Sequence, residues 1–231
     1  MNIWYKLVLD RAVGQHKLHP NVAIVAAGNK ETDNAIVNRM GTAMQSRMVH
    51  LSLAVDFKAW MEWATSSGID HRITSFINYK PGNLSKFNPN HSDVTFACSR
   101  TWEFCSRLIK PYPGQIPREK RPLIAGTISE GMAAEFMGFC KIYKTLPTVQ
   151  DIIKNPIGLK MPEEPSELFA LSGSIANHMT AESAEPLMKF VERMQLEFQV
   201  ITLQELFKRK KELVKAPPVM AWVSKNAKEL F

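Results

Sequence analysis

Residues 22–33 read VAIVAAGNKETD, and the reading of this stretch decides the fold. Val22 to Ala27 are six small or β-branched apolar residues, the composition of a buried strand. The run then stops on Gly28 and Asn29 and passes into a polar cluster. One reading is a strand followed by a turn, with Asn29 tolerating left-handed geometry beside Gly28. The other is a strand whose tip delivers one polar side chain to a reaction site.

On its N-terminal side, Arg11 to Leu18 (RAVGQHKL) carries Gly14 in mid-segment and predicts a tight hairpin. LVLD (7–10) has the look of an apolar strand ending in a metal-binding acid, but Arg11 follows where a second acid would stand, which favours a helix end or turn. On the C-terminal side KETDN is loop, Ala35 to Gln45 reads as helix, and VHLSLAV (49–55) reads as a second buried strand. Beyond residue 55 the pattern is helical. Asp56 is an N-cap for a helix that Gly68 stops, and Asp70 starts another with Ile73, Phe76 and Ile77 on one face. Residues 81–93 form a long loop, and Ser99 opens a third helix with Trp102, Cys105, Leu108 and Ile109 at helical spacing. A proline-rich basic linker spans 110–122. An amphipathic helix is expected over 127–144, with Met132, Ala133, Phe136, Phe139, Cys140 and Tyr143 apolar. A short helix is expected near 149–154, and others over 166–178, 182–194, 202–213 and 219–230. Two strands do not make a sheet that stands alone. The N-terminal part is therefore either poorly sheeted, or begins partway into an α/β module.

The 231 residues suffice for one large domain or two small ones, and 45% hydrophobic with 22% charged residues is ordinary for a globular protein. No apolar run reaches membrane-spanning length, and charges come too early for a secretory signal. The three cysteines, Cys98, Cys105 and Cys140, form no CxxC pair, so a reducing cytoplasm is expected. A net charge of +7 suits polyanions. The densest basic run, Lys208 to Lys211, follows an apolar helical face; it reads as a solvated helix end or, less strongly, as a nucleic-acid contact. The chain has no GxxxxGK, HExxH, GxSxG or GxGxxG, and its six histidines are scattered in sequence.

What remains is an ordered set: Asn29 at a strand tip, Arg47 before the second strand, and Arg100 in SRTWEF at a helix start. An amide can orient a water, and guanidiniums can neutralise charge on a transferring phosphoryl group. On these residues the chain resembles the second half of an AAA+ ATPase module, closest to the MoxR-like ATPases of bacteria and their phages. VAIVAAGNKETDNA resembles that family's sensor-1 strand and loop. TAMQSRMVHLSL resembles its arginine-finger segment, and SRTWEFCSRLI its sensor-2 helix. GMAAEFMGFCKIY and EFQV resemble its C-terminal helices. Met48 stands where the family usually has Phe, and Ser99 where Pro is frequent.

The resemblance implies an α/β partial AAA+ core, the end of a parallel sheet, followed by a mainly α-helical lid and a C-terminal helical region. The corresponding divisions are 1–55 (core), 56–110 (lid) and 111–231 (linker and helical extension). It implies that Asn29 is sensor 1, that Arg47 is the arginine finger with Arg39 as the alternative, and that Arg100 is sensor 2. Asn29 and Arg100 would contact nucleotide. ATP and Mg²⁺ are the implied cofactors, and the assembly a homo-oligomeric, hexameric ring working beside a protein with a von Willebrand A-type domain. The implied activity is ATP-driven, chaperone-like remodelling of a protein. The family's phosphate loop and Mg²⁺-binding acids have no counterpart here, so the chain alone is expected to be inactive. Trp60, Trp63 and Trp102 are expected to pack the lid core. The alternatives are a non-catalytic helical scaffold and a nucleic-acid-binding protein derived from such a module.

Overall fold

A computed structural model describes residues 3–33 and 40–230. Two compact units divide the chain: Met1–Ala54 with Asn88–His91, and Val55–Phe87 with Ser92–Phe231.

In the first unit, helix α1 (Ile3–Leu9) ends at Asp10, as expected of a helix end rather than an acidic strand tip. Strands β1 (Ala12–Val13) and β2 (His16–Lys17) form the expected hairpin, pairing Val13 with His16 around Gly14. Gly14 has φ +62°, a conformation glycine adopts without steric cost. Arg11 gathers the chain after the hairpin: its Nη2 donates to the carbonyls of Val22 at 2.5 Å and Pro20 at 3.1 Å. Helix α2 (Thr42–Gln45) covers the described end of the helix expected over 35–45.

The expected α/β core is not there. Among the described residues the hairpin is the only sheet, it is antiparallel, and no parallel sheet forms. Residues 22–27 and 49–55 join no strand. Their apolar side chains face solvent: Val25 is 89% exposed, Val49 87%, Leu51 84% and Leu53 95%. The physical reason is pairing. A strand satisfies its backbone and buries its faces only against neighbouring strands, and none among the described residues receives these two.

The second unit is all helix. It comprises α3 (Phe57–Ser66), α4 (His71–Tyr79), α5 (Ser99–Ile109), α6 (Arg121–Ile128), α7 (Glu130–Ile142), α8 (Val149–Lys154), α9 (Pro165–His178), α10 (Ala184–Val191), α11 (Leu196–Arg209) and α12 (Pro217–Leu230). Local chemistry places several boundaries. Asp56 Oδ1 accepts from Ala59 N at 2.8 Å, Asp70 Oδ1 from Arg72 N at 3.0 Å, and Thr148 Oγ1 from Asp151 N at 3.2 Å. Gly68, at φ +69°, ends the α3 segment. The helix expected over 127–144 is α7, which starts after Ser129 at φ 81°, and α6 is an additional helix that begins inside the expected linker.

Phe76 on α4 lies at the centre of the core. Its ring sits 5.7 Å from that of Trp102 on α5, and 5.5 and 5.4 Å from Phe136 and Phe139 on α7. The Trp102 indole N–H is satisfied by the Asn83 carbonyl at 2.9 Å. Trp60 and Trp102 are buried as expected, but Trp63 is exposed, because the helical period turns it off the face that carries Trp60 and Ala64. Helix α9 approaches α4 at Gly173, where an added Cβ would lie 2.0 Å from Ser75 Oγ.

Candidate functional site

The three sequence-predicted residues fall in both units. Asn29 and Arg47 belong to the first, Arg100 to the second. Asn29 is exposed on irregular backbone, and neither it nor Gly28 adopts positive φ, so the left-handed turn reading does not hold. Arg47 follows α2 and is exposed; its Nη1 donates to the Ala43 carbonyl at 2.5 Å, a contact any exposed helix-end arginine can exchange for a stronger anion. Arg39 lies outside the described residues.

Arg100 occupies the first turn of α5, where Cys98 N donates to Thr101 Oγ1 at 2.8 Å and starts the helix. Its guanidinium is exposed, and no hydrogen bond or ion pair engages it among the described residues. The contrast with other arginines of this unit is chemical. Arg107 pairs with Glu103 and Arg121 with Glu130. Arg193 donates to the carbonyls of Pro156 and Leu159, each at 2.6 Å. Arg209 donates to Ile69 O and Thr74 Oγ1 beside the buried Glu205 carboxylate.

Arg72 spends every donor it has. Nε and Nη2 bind the two Asp70 oxygens at 2.8 and 2.7 Å; Nη1 donates to Tyr112 O and Gly114 O, and Nη2 also to Ile109 O. It thereby pins the 109–114 segment against α4. Burial alone would raise the Asp70 carboxyl, but the Arg72 guanidinium holds it below its ordinary range.

Sequence reading missed the surroundings of this pair. Histidines remote in sequence meet here: His71 lies edge-on to His178 at 5.4 Å and to Tyr143 at 5.6 Å. Burial depresses the His71 imidazole to about 3, so it is neutral at pH 7. The capped start at Asp70 was the only local signal of this region; the meeting of α4, α7 and α9 is a tertiary fact. Burial also pushes the thiols of Cys105 and Cys140 up, which leaves them unreactive at neutral pH.

The residues present do not by themselves fit a magnesium–nucleotide complex. Among the described residues no three His, Cys, Asp or Glu side chains gather to hold a metal ion, and the sequence has no glycine-rich phosphate cradle. No helix among the described residues is long and apolar enough to cross a membrane. Comparison with protein-family models, with curated proteins and with solved structures finds no match to the chain.

Proposed function

We propose that this chain is a component of a MoxR-like, ATP-driven protein-remodelling machine, supplying Asn29, Arg47 and Arg100 to nucleotide held by a phosphate-loop segment that these residues do not contain. The observation that carries the reading is the state of Arg100: exposed, in the first turn of α5 and free of any partner among the described residues, while most other arginines of the helical unit are bound. An uncompensated guanidinium of that kind is suited to a polyphosphate. The exposed Asn29 and Arg47 support the same reading. So do the solvent-facing apolar segments 22–27 and 49–55, which are surfaces that a further polypeptide would cover.

The test is ATPase activity. The purified chain should hydrolyse no ATP above background. Joined to a segment carrying GxxxxGK[ST], it should hydrolyse ATP as a ring, and Arg47→Ala or Arg100→Ala should lower the rate by about 10³-fold or more. Full activity in both variants would refute the assignment.

One observation favours a second reading, a non-catalytic helical scaffold: the helical unit completes its apolar core from its own residues, from Trp60 to Trp222. A joined protein that assembles but shows no ATPase activity would select it. The nucleic-acid reading gains nothing, because the 208–211 run directs Arg209 inward and binds Lys210 Nζ to the Met179 carbonyl at 2.7 Å.

A further inference from the structure

We infer that the helical unit carries a binding site for a small amphiphilic phosphate, with an apolar body in the cleft among α4, α7, α8 and α9 and its phosphate on a rim of Arg118, Lys141 and Lys144. The cleft encloses about 510 Å³, within the usual range for small-molecule sites. Leu146, Pro147, Val149, Ile153 and Leu171 give it apolar walls. A second hollow of about 560 Å³ adjoins it, sharing Gln115, Cys140 and Lys144 as lining. Arg118 and Lys141 line that second hollow beside Lys144.

The chemistry of the lining selects the ligand. No carboxylate lines either hollow. Among the described residues, none of Arg118, Lys141 and Lys144 has an acidic partner, and all three are exposed. The one guanidinium deeper in, Arg72, has no donor left for a ligand. His71 beside it is neutral. Unengaged cationic donors are therefore available at the rim, while the interior cation, Arg72, is committed to Asp70 and backbone carbonyls. The cations also arrive from two chain segments, Arg118 from the turn before α6 and the lysines from the end of α7. Complementing the α7 dipole accounts for the lysines only. A phosphate, with a charge of about −1.5 to −2 at neutral pH, matches such a rim better than a carboxylate does. A concave, apolar-walled cleft with cations on one side suits a short amphiphile rather than a nucleic-acid strand, which needs a basic groove with stacking aromatics.

Isothermal titration of the full chain with octyl phosphate, octanoate, octyl glucoside and inorganic phosphate tests the site. Octyl phosphate should bind one-to-one. The other three should bind at least about tenfold more weakly, equivalent to about 1.4 kcal/mol or more. Replacing Arg118, Lys141 and Lys144 together by Gln should weaken octyl phosphate by at least about tenfold while leaving far-UV circular dichroism and Tm unchanged, since all three side chains are exposed. No saturable binding of octyl phosphate, equal binding of octyl glucoside, or an unaffected triple variant would each overturn the site. Equal binding of octanoate would overturn the phosphate headgroup, and tighter, salt-sensitive binding of a single-stranded oligonucleotide would overturn the amphiphile. None of these outcomes depends on ATPase activity.

Discussion

His71 and Asp70 are neighbours in the chain with opposite demands on protons. Buried against Tyr143 and His178, His71 titrates at about 3 in the folded protein, against 6.5 when unfolded. Between these values the unfolded chain takes up a proton that the folded chain refuses, so stability falls as pH drops from 6.5 towards 3. Asp70 is depressed below 3.8 by Arg72, so its contribution is complete above that value and is lost as pH falls through the lower, folded one. Urea unfolding across this range should show a midpoint that declines with acidification. His71→Gln, which has no proton to gain, should flatten the part of the decline between 6.5 and Asp70's range; an unchanged slope would place the acid sensitivity elsewhere.

Helices α4 and α9 touch through the smallest residue available. Gly173→Ala sets a Cβ 2.0 Å from Ser75 Oγ and 3.3 Å from Ser75 Cβ, so the Ser75 hydroxyl must rotate away or the helices part by a few tenths of an ångström. The expected loss is about 1–3 kcal/mol in equilibrium unfolding. In a Ser75→Ala background the hydroxyl clash disappears and the alanine should cost measurably less. Additive effects would show that the two positions do not share this contact. At this scale much was legible in sequence. Asp56, Gly68 and Asp70 are local signals, each satisfied by backbone within a few residues, and they start or stop helices where expected. Helix α6 was not legible, because proline and basic residues at 117–122 read as linker, and the positive φ of Ser129 that separates it from α7 has no residue signature. The expected strands 22–27 and 49–55 failed for a related reason: their composition favours pairing, but pairing depends on a distant partner.

Across the whole molecule, the helical unit fills its own core while the first unit leaves apolar chain in solvent. Exposed apolar runs of this kind favour association. Leu51→Lys with Leu53→Lys should therefore raise solubility and lower dye binding to apolar surface. Because both residues are nearly fully exposed, the Tm of the helical unit should not fall; a lower Tm would show that they support its packing. Of the candidate site, residue types and their order are readable in the sequence and their arrangement is not. Asn29, Arg47 and Arg100 stand out as a set by type and order alone. Only the structure shows that Arg100 has no partner among the described residues, or that Arg72, equally cationic on paper, has all its donors engaged.

By itself the sequence determined the helical character beyond residue 55, the hairpin at 11–18 and the capped helix starts. Each of these follows from side-chain periodicity or from hydrogen bonds closed within a turn. Tertiary structure alone decided that VAIVAAGN joins no sheet among the described residues, that Trp63 faces solvent while Trp60 and Trp102 do not, and that His71 meets His178. Those outcomes depend on which distant segments supply backbone partners and apolar cover, and no local stretch of residues carries that information.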